Sequence, residues 1–341
     1  MIGHFDNLVT TSKEKLNRHK ILNNICTTVL KTSFLILSFT KTVLMATIKN
    51  TKKNGDRLFD EYFRKIYENR WPFLKEAILN NYEKVMRENL FYNDMEILPS
   101  IDKDYTVEWK VFESIQEKNI DNKSLRQYYI MDLASIIAAE QLNVNPQDFV
   151  LDMCAAPGGK ALILAEKCYL SKARLQINEL SQTRRMRLKR VFDNYIEKPF
   201  LGEIKLTGFD AGLFGKHNPQ KFDKILLDTP CSSEAHLLLQ PTLLKDYKPK
   251  RSVQLAKRQF GLLVSAWDAL KPKGTILYST CSISPLENDG VIERLLERVG
   301  DKATIKEYTG KRELESTQYG NMILPDKLKM GPIYFSVIEK R

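Results

Sequence analysis

The chain has 341 residues, 43% of them hydrophobic and 28% charged, which is enough to bury a substantial core and excludes a low-complexity or disordered polypeptide. A formal net charge of +11 favours a polyanionic partner, nucleic acid ahead of a membrane surface, and says nothing about chemistry. The five cysteines (Cys26, Cys154, Cys168, Cys231, Cys281) are odd in number and form no C-x-x-C pair, and there are only four histidines. These counts argue against a disulfide framework and a structural zinc site, and for a reducing compartment.

Residues 1–44 open with Lys13, Lys15, Arg18 and Lys20, followed by "ILNNICTTVLKTSFLILSFTKTVLM". Lys31 and Lys41 keep this apolar run below the roughly 18–20 residues that a membrane span needs. Asp6 and Glu14 are out of place in a presequence. A signal peptide, a presequence and an upstream extension of the reading frame all stay open, and the extension is favoured, with Met45 as the start. The stretch 45–122 is expected to be helical. Leu58, Tyr62, Phe63, Ile66 and Tyr67 recur at helical spacing, Asp56 is a candidate cap, and Pro72 opens a second helix. Arg64, Lys65, Arg70, Lys75 and Lys84 suit either a nucleic-acid face or an ordinary solvated helix face.

From residue 123 to 341 strands and helices alternate: helix "LASIIAAEQL", strand "DFVLDMC", helix "KALILAEKC", strand "RLQINE", helix "QTRRMRLKRVFDNY", strands "EIKLTGF" and "KILLD". Helix "VQLAKRQFGLLVSAWDAL", strand "GTILYST" and helix "LENDGVIERLLERV" complete the series. This alternation predicts an α/β fold with a doubly wound parallel sheet, Rossmann-like, carrying a helical N-terminal extension.

The first strand of the sheet runs into "DMCAAPGGKA", a tight turn in which Gly158 and Gly159 let a ligand approach the backbone at a helix start. It lacks the first glycine of a Walker loop and the pattern G-x-G-x-x-G. Glu179 ends the next strand, where a carboxylate accepts both hydroxyls of a ribose, and Asp210 follows the third, where one accepts from an adenine amine. Either alone suits a surface carboxylate or a helix cap equally well. Together with the turn, at consecutive strand ends, they describe an adenosine-ligand site. Cys231 in "DTPCSS" and Cys281 in "YSTCSIS" stand after adjacent strands facing that site. A lone cysteine reads as a small buried hydrophobe, but two aligned ones fit that reading less well, and a metal would need more ligands.

The motifs "YYIMDLAS", "VLDMCAAPGGK", "NELSQTR", "DTPCSS", "YSTCSISPLEN" and "ILPDKLKMGPIYF" resemble the Sun-domain family of S-adenosylmethionine-dependent RNA cytosine-5 methyltransferases, over about residues 57 to 341. The nearest likeness is the branch with the mitochondrial rRNA and tRNA enzymes. The resemblance implies a class I methyltransferase sheet whose last strand, "IYFSVIE", is antiparallel. It implies that Cys281 attacks carbon 6 of cytosine, because carbon 5 alone is too weak a nucleophile to take a methyl group. By the same resemblance Cys231 assists removal of the carbon 5 proton and release, and Asp228 serves the ring's N3, its acid form favoured by an enclosed site.

For S-adenosylmethionine the resemblance implies Gly158, Gly159 and Lys160 at the methionine end, Glu179 at the ribose, Arg184 supporting that loop, Asp210 at the adenine, and Asp228 beside it. Cys154 and Ala155 complete the turn, with Cys154 structural. Two departures stand out. Met131 occupies a position where many relatives have glutamine, and "CSS" replaces the more usual "CSG". The expected partner is rRNA, with tRNA next, and "RRMRLKR" and "KDYKPKRSVQLAKR" are candidates to grip its phosphates or to be plain outer helix faces. A monomer without metal or membrane is expected, and a protein partner that delivers the RNA stays open. A catalytically idle RNA-binding or ribosome-assembly factor is the rival reading. The expected compartment is the cytoplasm, with the mitochondrion as the alternative.

Overall fold

The structure is a computed structural model and describes residues 55–80, 82, 84–92 and 125–341. The expectations for residues 1–44 and for the start at Met45 lie outside these residues, as does the stretch 93–124. Helix α1 (Gly55–Tyr67) buries Leu58, Phe59, Tyr62 and Phe63 on one face, and α2 (Trp71–Leu79) carries Pro72 in its first turn. Both follow from the sequence periodicity. The next element does not: β1 (Lys84–Glu88) is a strand within the region read as helical, paired antiparallel with β2 (Tyr128–Asp132). Only Val85 of β1 is buried, so its sequence carries no alternating pattern.

The catalytic-region elements then follow as α3 (Leu133–Glu140), β3 (Phe149–Asp152), α4 (Gly159–Ser171), β4 (Arg174–Asn178), α5 (Gln182–Tyr195), β5 (Lys205–Thr207) and β6 (Phe222–Asp228). Next come α6 (Lys250–Ala269), β7 (Leu270–Thr280), α7 (Asp289–Val299), β8 (Ala303–Lys306), β9 (Glu315–Ser316), β10 (Asn321–Ile323) and β11 (Ile333–Lys340). The main sheet has the order β5-β4-β3-β6-β7-β11-β10-β9, with β8 also against β11. It is parallel from β5 to β7 and antiparallel where β11 joins β7. The expected doubly wound sheet with an antiparallel last strand is therefore present. The short strands β8 to β10 were not foreseen.

Strand side chains alternate between two apolar layers, as a sheet covered on both faces requires. Ile225 and Leu227 of β6 enter one layer with α1, α2, α6 and α7, while Leu226 enters the other with α3, α4 and α5. The strand order reverses between β3 and β6, and such a reversal opens a crevice at the carboxyl ends of the strands.

Helices α1 and α2 belong to this core. Phe63 stacks on Trp71 at 5.3 Å, and Phe59 meets Tyr247, beyond the Cys231 loop, edge-on at 4.8 Å. Tyr67 donates its hydroxyl to the carbonyl of Ile283 at 2.7 Å, two residues past Cys281. Several cations considered for a nucleic-acid face are engaged within the chain: Arg70 binds Glu315 and Asp326, Lys75 binds Asp60, and Lys84 lies 3.9 Å from Asp132. Arg64 and Lys65 are exposed. No helix among the described residues is long and apolar enough to cross a membrane.

Because Phe63 is fully buried in the shared core, Phe63→Ala is expected to lower the unfolding free energy by about 3–5 kcal/mol in urea denaturation. In a Trp109→Phe, Trp267→Phe background, fluorescence of Trp71 and far-ultraviolet circular dichroism should lose structure in one common transition; separate transitions would show that α1 and α2 fold apart from the sheet.

A candidate active site at the strand ends

Cys231 follows β6 and Cys281 follows β7, and the parallel register of Asp228 with Ser279 brings the two loops side by side. Their sulfurs lie 2.7 Å apart, and both residues are free thiols, half-buried. The contact separates their acidities. The hydrogen bond from Cys231 holds the Cys281 thiol below the usual cysteine range against the opposing effect of burial, with help from Ser233 and Lys160. The same bond, together with burial and the charge on Cys281, pushes Cys231 well up. Of the two sulfurs, Cys281 is thus the one that gives up its proton first.

Beside them, Asp228 accepts from the Lys160 ammonium at 3.0 Å through one oxygen and from the Ser279 hydroxyl at 2.8 Å through the other. Its side chain is 31% exposed, open to the crevice. Burial alone would lower Lys160, but the carboxylate of Asp228 outweighs it and the lysine is raised, a fixed cation at the crevice.

The loops are held by a second layer that the sequence reading missed. Ser232 and Ser282 each follow a cysteine, and Glu234 and Glu287 are fully buried next to them. Glu287 accepts from the Ser232 backbone N–H at 3.0 Å and from Gln259 at 2.9 Å. Glu234 accepts from the Ile283 N–H and the Ser282 hydroxyl, both at 3.1 Å. The Ser232 hydroxyl touches an oxygen of both carboxyls, yet it has only one proton to give. Burial raises both carboxyls, Glu234 to about 8 with the charge of Glu287 adding to it, and a carboxyl that holds its proton can donate to the serine in turn.

On the cofactor side, Gly158 has φ +128°, a conformation that L side chains rarely adopt. A Cβ on Gly158 would press on Val191, and one on Gly159 would press on Tyr129 and Met131. Both glycines therefore make room for protein neighbours at the turn. Cys154 donates its N–H to Asp152, and Ala155 donates to the carbonyl of Asn178 at 2.9 Å. Burial pushes the Cys154 thiol far up, consistent with the structural role expected for it.

Glu179 is buried at the end of β4. One of its oxygens accepts from the Ser181 N–H at 2.9 Å; the other makes no hydrogen bond, with Arg184 at 3.3 Å as an ion pair. Arg184 also donates to the carbonyl of Ala156 at 2.6 Å, tying the glycine turn to the β4 loop. Asp210 is exposed and accepts from the Gly212 N–H at 2.9 Å, so one oxygen caps its own turn. Two further residues were missed. Asn178 binds Met153, Thr207 and Phe209 and so holds three strand ends together. Asp152, also buried, is pushed to about 8, first by burial and then by Asp228. Among the described residues no cluster fit to hold a metal ion is found.

A carboxyl whose pKa rises on folding stabilises the fold below its unfolded value, near 4.3, and that stability is lost as pH climbs through the folded value. Stability is therefore expected to fall between about pH 4.3 and 8 through Glu234 and Asp152. Thermal unfolding across this range should show Glu234→Gln with a shallower fall than the parent chain; an unchanged slope would mean that Glu234 is ionised throughout.

A family model described as 16S rRNA methyltransferase RsmB/F matches residues 139–339. The chain is 33% identical over 228 residues to the 5-cytosine rRNA methyltransferase NSUN4 of Bos taurus, covering 62% of this chain and 59% of that one. It is 31% identical over 228 residues to the mitochondrial tRNA (cytosine(34)-C(5))-methyltransferase of Mus musculus, covering 64% and 65%. The chain thus spans less than two thirds of the length of these curated relatives. The crystal structure of a methyltransferase homolog protein from Pyrococcus horikoshii shares the fold, with a TM-score of 0.62 at 21% identity over 88% of this chain and 99% of that chain. With the family match running through both cysteine loops and on to the last strand, the chain belongs to the RsmB/F family of methyltransferases.

Proposed function

We propose that this chain transfers a methyl group from S-adenosylmethionine to carbon 5 of a cytosine in RNA, with rRNA as the first substrate class and tRNA as the next. The observation that carries this reading is the meeting of Cys281 and Cys231 at the ends of two adjacent parallel strands, beside Asp228 and Lys160. An idle RNA-binding platform has no use for two aligned thiols.

The Cys281 thiolate adds to carbon 6, and the ring's electron pair shifts so that carbon 5 becomes nucleophilic. Asp228, positioned by Lys160 and Ser279, acts in its acid form and donates its proton to N3 as the charge develops there. Bound S-adenosylmethionine supplies an electrophilic methyl group to carbon 5. Once Cys281 is a thioether it is an uncharged, weak acceptor, so the hydrogen bond and the charge that raise Cys231 both weaken and burial remains. Cys231 then ionises more readily, at the stage where the carbon 5 proton must leave and Cys281 must be expelled. The order of events is thus built into the pair.

The residues fit the cofactor. Arg184, half-exposed, lies over the Glu179 oxygen that has no hydrogen bond, and this pair suits a ribose diol. Lys160, with the α4 backbone, suits the methionine end, and Asp210 with Phe209 suits the base. The exposed cations Lys245, Lys248, Lys250 and Arg251, next to the Cys231 loop, suit the phosphates flanking a splayed-out cytosine. Helices α1 and α2 extend the RNA-facing surface, and residues 123–341 carry the chemistry. The compartment read from the cysteines is the cytoplasm; the mitochondrion is the alternative, since the mouse relative carries that location in its name.

With radiolabelled methyl donor and rRNA fragments, Cys281→Ala is expected to lose methyl transfer by more than about a thousandfold and to form no adduct. Cys231→Ala should instead accumulate a nuclease-sensitive protein-RNA adduct on denaturing gels. An adduct from Cys281→Ala would reverse the two roles, and no transfer by the parent chain to rRNA or tRNA would favour the idle platform.

A further inference from the structure

Ser233 begins the short helix Glu234–Leu238 with φ +53° and ψ +56°, in the left-handed region that favours glycine. A serine at a helix N-terminus ordinarily turns its hydroxyl back to accept a backbone N–H, but Ser233 makes no such bond. Its Oγ points at the thiols instead, 3.3 Å from Cys281 Sγ and 3.5 Å from Cys231 Sγ. Here a hydroxyl has been placed where the resemblance led us to expect a residue with no side chain.

We propose that the Ser233 hydroxyl donates a hydrogen bond to the Cys281 thiolate and sets both the pH at which this sulfur ionises and its intrinsic reactivity. The inference rests on the reading of Cys281 as the attacking residue. With the thiol proton of Cys231 directed at the same sulfur, Cys281 has two small donors and its remaining lone pair faces the crevice. Donation to the anion favours it over the thiol, so more of the nucleophile is present at a given pH. The cost is chemical: a thiolate of lower pKa is a weaker nucleophile, by a Brønsted slope of about 0.4–0.5. The other titratable groups facing Cys281 are Cys231 and Asp228 from the β6 loop, Lys160 from α4, and Tyr82 ahead of β1. Of these only Cys231 is itself touched by Ser233, which lowers it slightly, so its peptide is quantified alongside that of Cys281.

Two variants separate hydroxyl from backbone. Ser233→Gly removes the hydroxyl and relieves the left-handed strain, whereas Ser233→Ala removes the hydroxyl and keeps the strain. Each full-length chain is alkylated with iodoacetamide across a pH series, without RNA or methyl donor, and the Cys281 peptide is quantified by mass spectrometry. In both variants the midpoint for Cys281 should rise by about one pH unit. The limiting rate well above the midpoint should rise about threefold. The two profiles therefore cross, a signature that loss of structure does not produce, and thermal unfolding reads any such loss directly. Methyl transfer by Ser233→Gly should fall about threefold below the parent midpoint, about tenfold less thiolate being offset by its greater reactivity, and recover as pH rises. Unmoved alkylation profiles in both variants, or a shift in Ser233→Ala alone, would overturn the proposal. Because alkylation needs no substrate, its outcome stands apart from whether Cys281 proves to be the attacking residue.

Discussion

A single serine proton between two buried carboxyls is the constraint on which the site depends. Ser232 touches both Glu234 and Glu287, and these carboxyls also hold Ile283, Ser282, Gln259 and the Ser232 backbone. The loop after β6 and the loop after β7 are thereby one unit, and the thiols that ride on them meet at a fixed distance. Two ionised carboxylates could not share this interior, because each would lack a compensating cation. A proton on one of them removes its charge, and burial favours that form. Sulfur placement therefore follows from the hydrogen bonds one layer beneath the sulfurs.

Much of this arrangement was legible from the chain alone. The alternation of apolar runs and amphipathic helices indicated the parallel sheet, since β6 and β7 are buried on both faces and read as nearly continuous hydrophobic stretches. Cys231 and Cys281 stood out because both follow directly on such runs. Glu234 and Glu287 did not, since their partners lie up to 55 residues away and each looks like an ordinary helix-start carboxylate. Strand β1 was missed because one buried residue makes no pattern, and β9 and β10 because strands of two and three residues fall below any period. Arg70 and Lys75 looked like a nucleic-acid face because sequence shows charge but not the carboxylates that fold against it.

The two sides of the crevice are differently built. At the thiols, buried carboxyls and hydroxyls fix the loops before any ligand arrives. At the cofactor side the glycines serve packing against α5 and β2, while Arg184 bridges two strand-end loops across the buried Glu179. That half is closed by a long, half-exposed side chain with several rotatable bonds, so adjustment there is cheap in free energy. Rigid chemistry thus sits beside an adaptable binding half.

The packing of α1 and α2 carries a geometric consequence. Phe59 and Phe63 share a core with Tyr247, and Tyr67 is bonded to the carbonyl of Ile283, so the outer face of these helices stands at a set offset from both cysteines. A displacement of either helix is therefore felt at the cysteine loops, because the same aromatic core and the Tyr67 hydroxyl couple them as one mechanical unit.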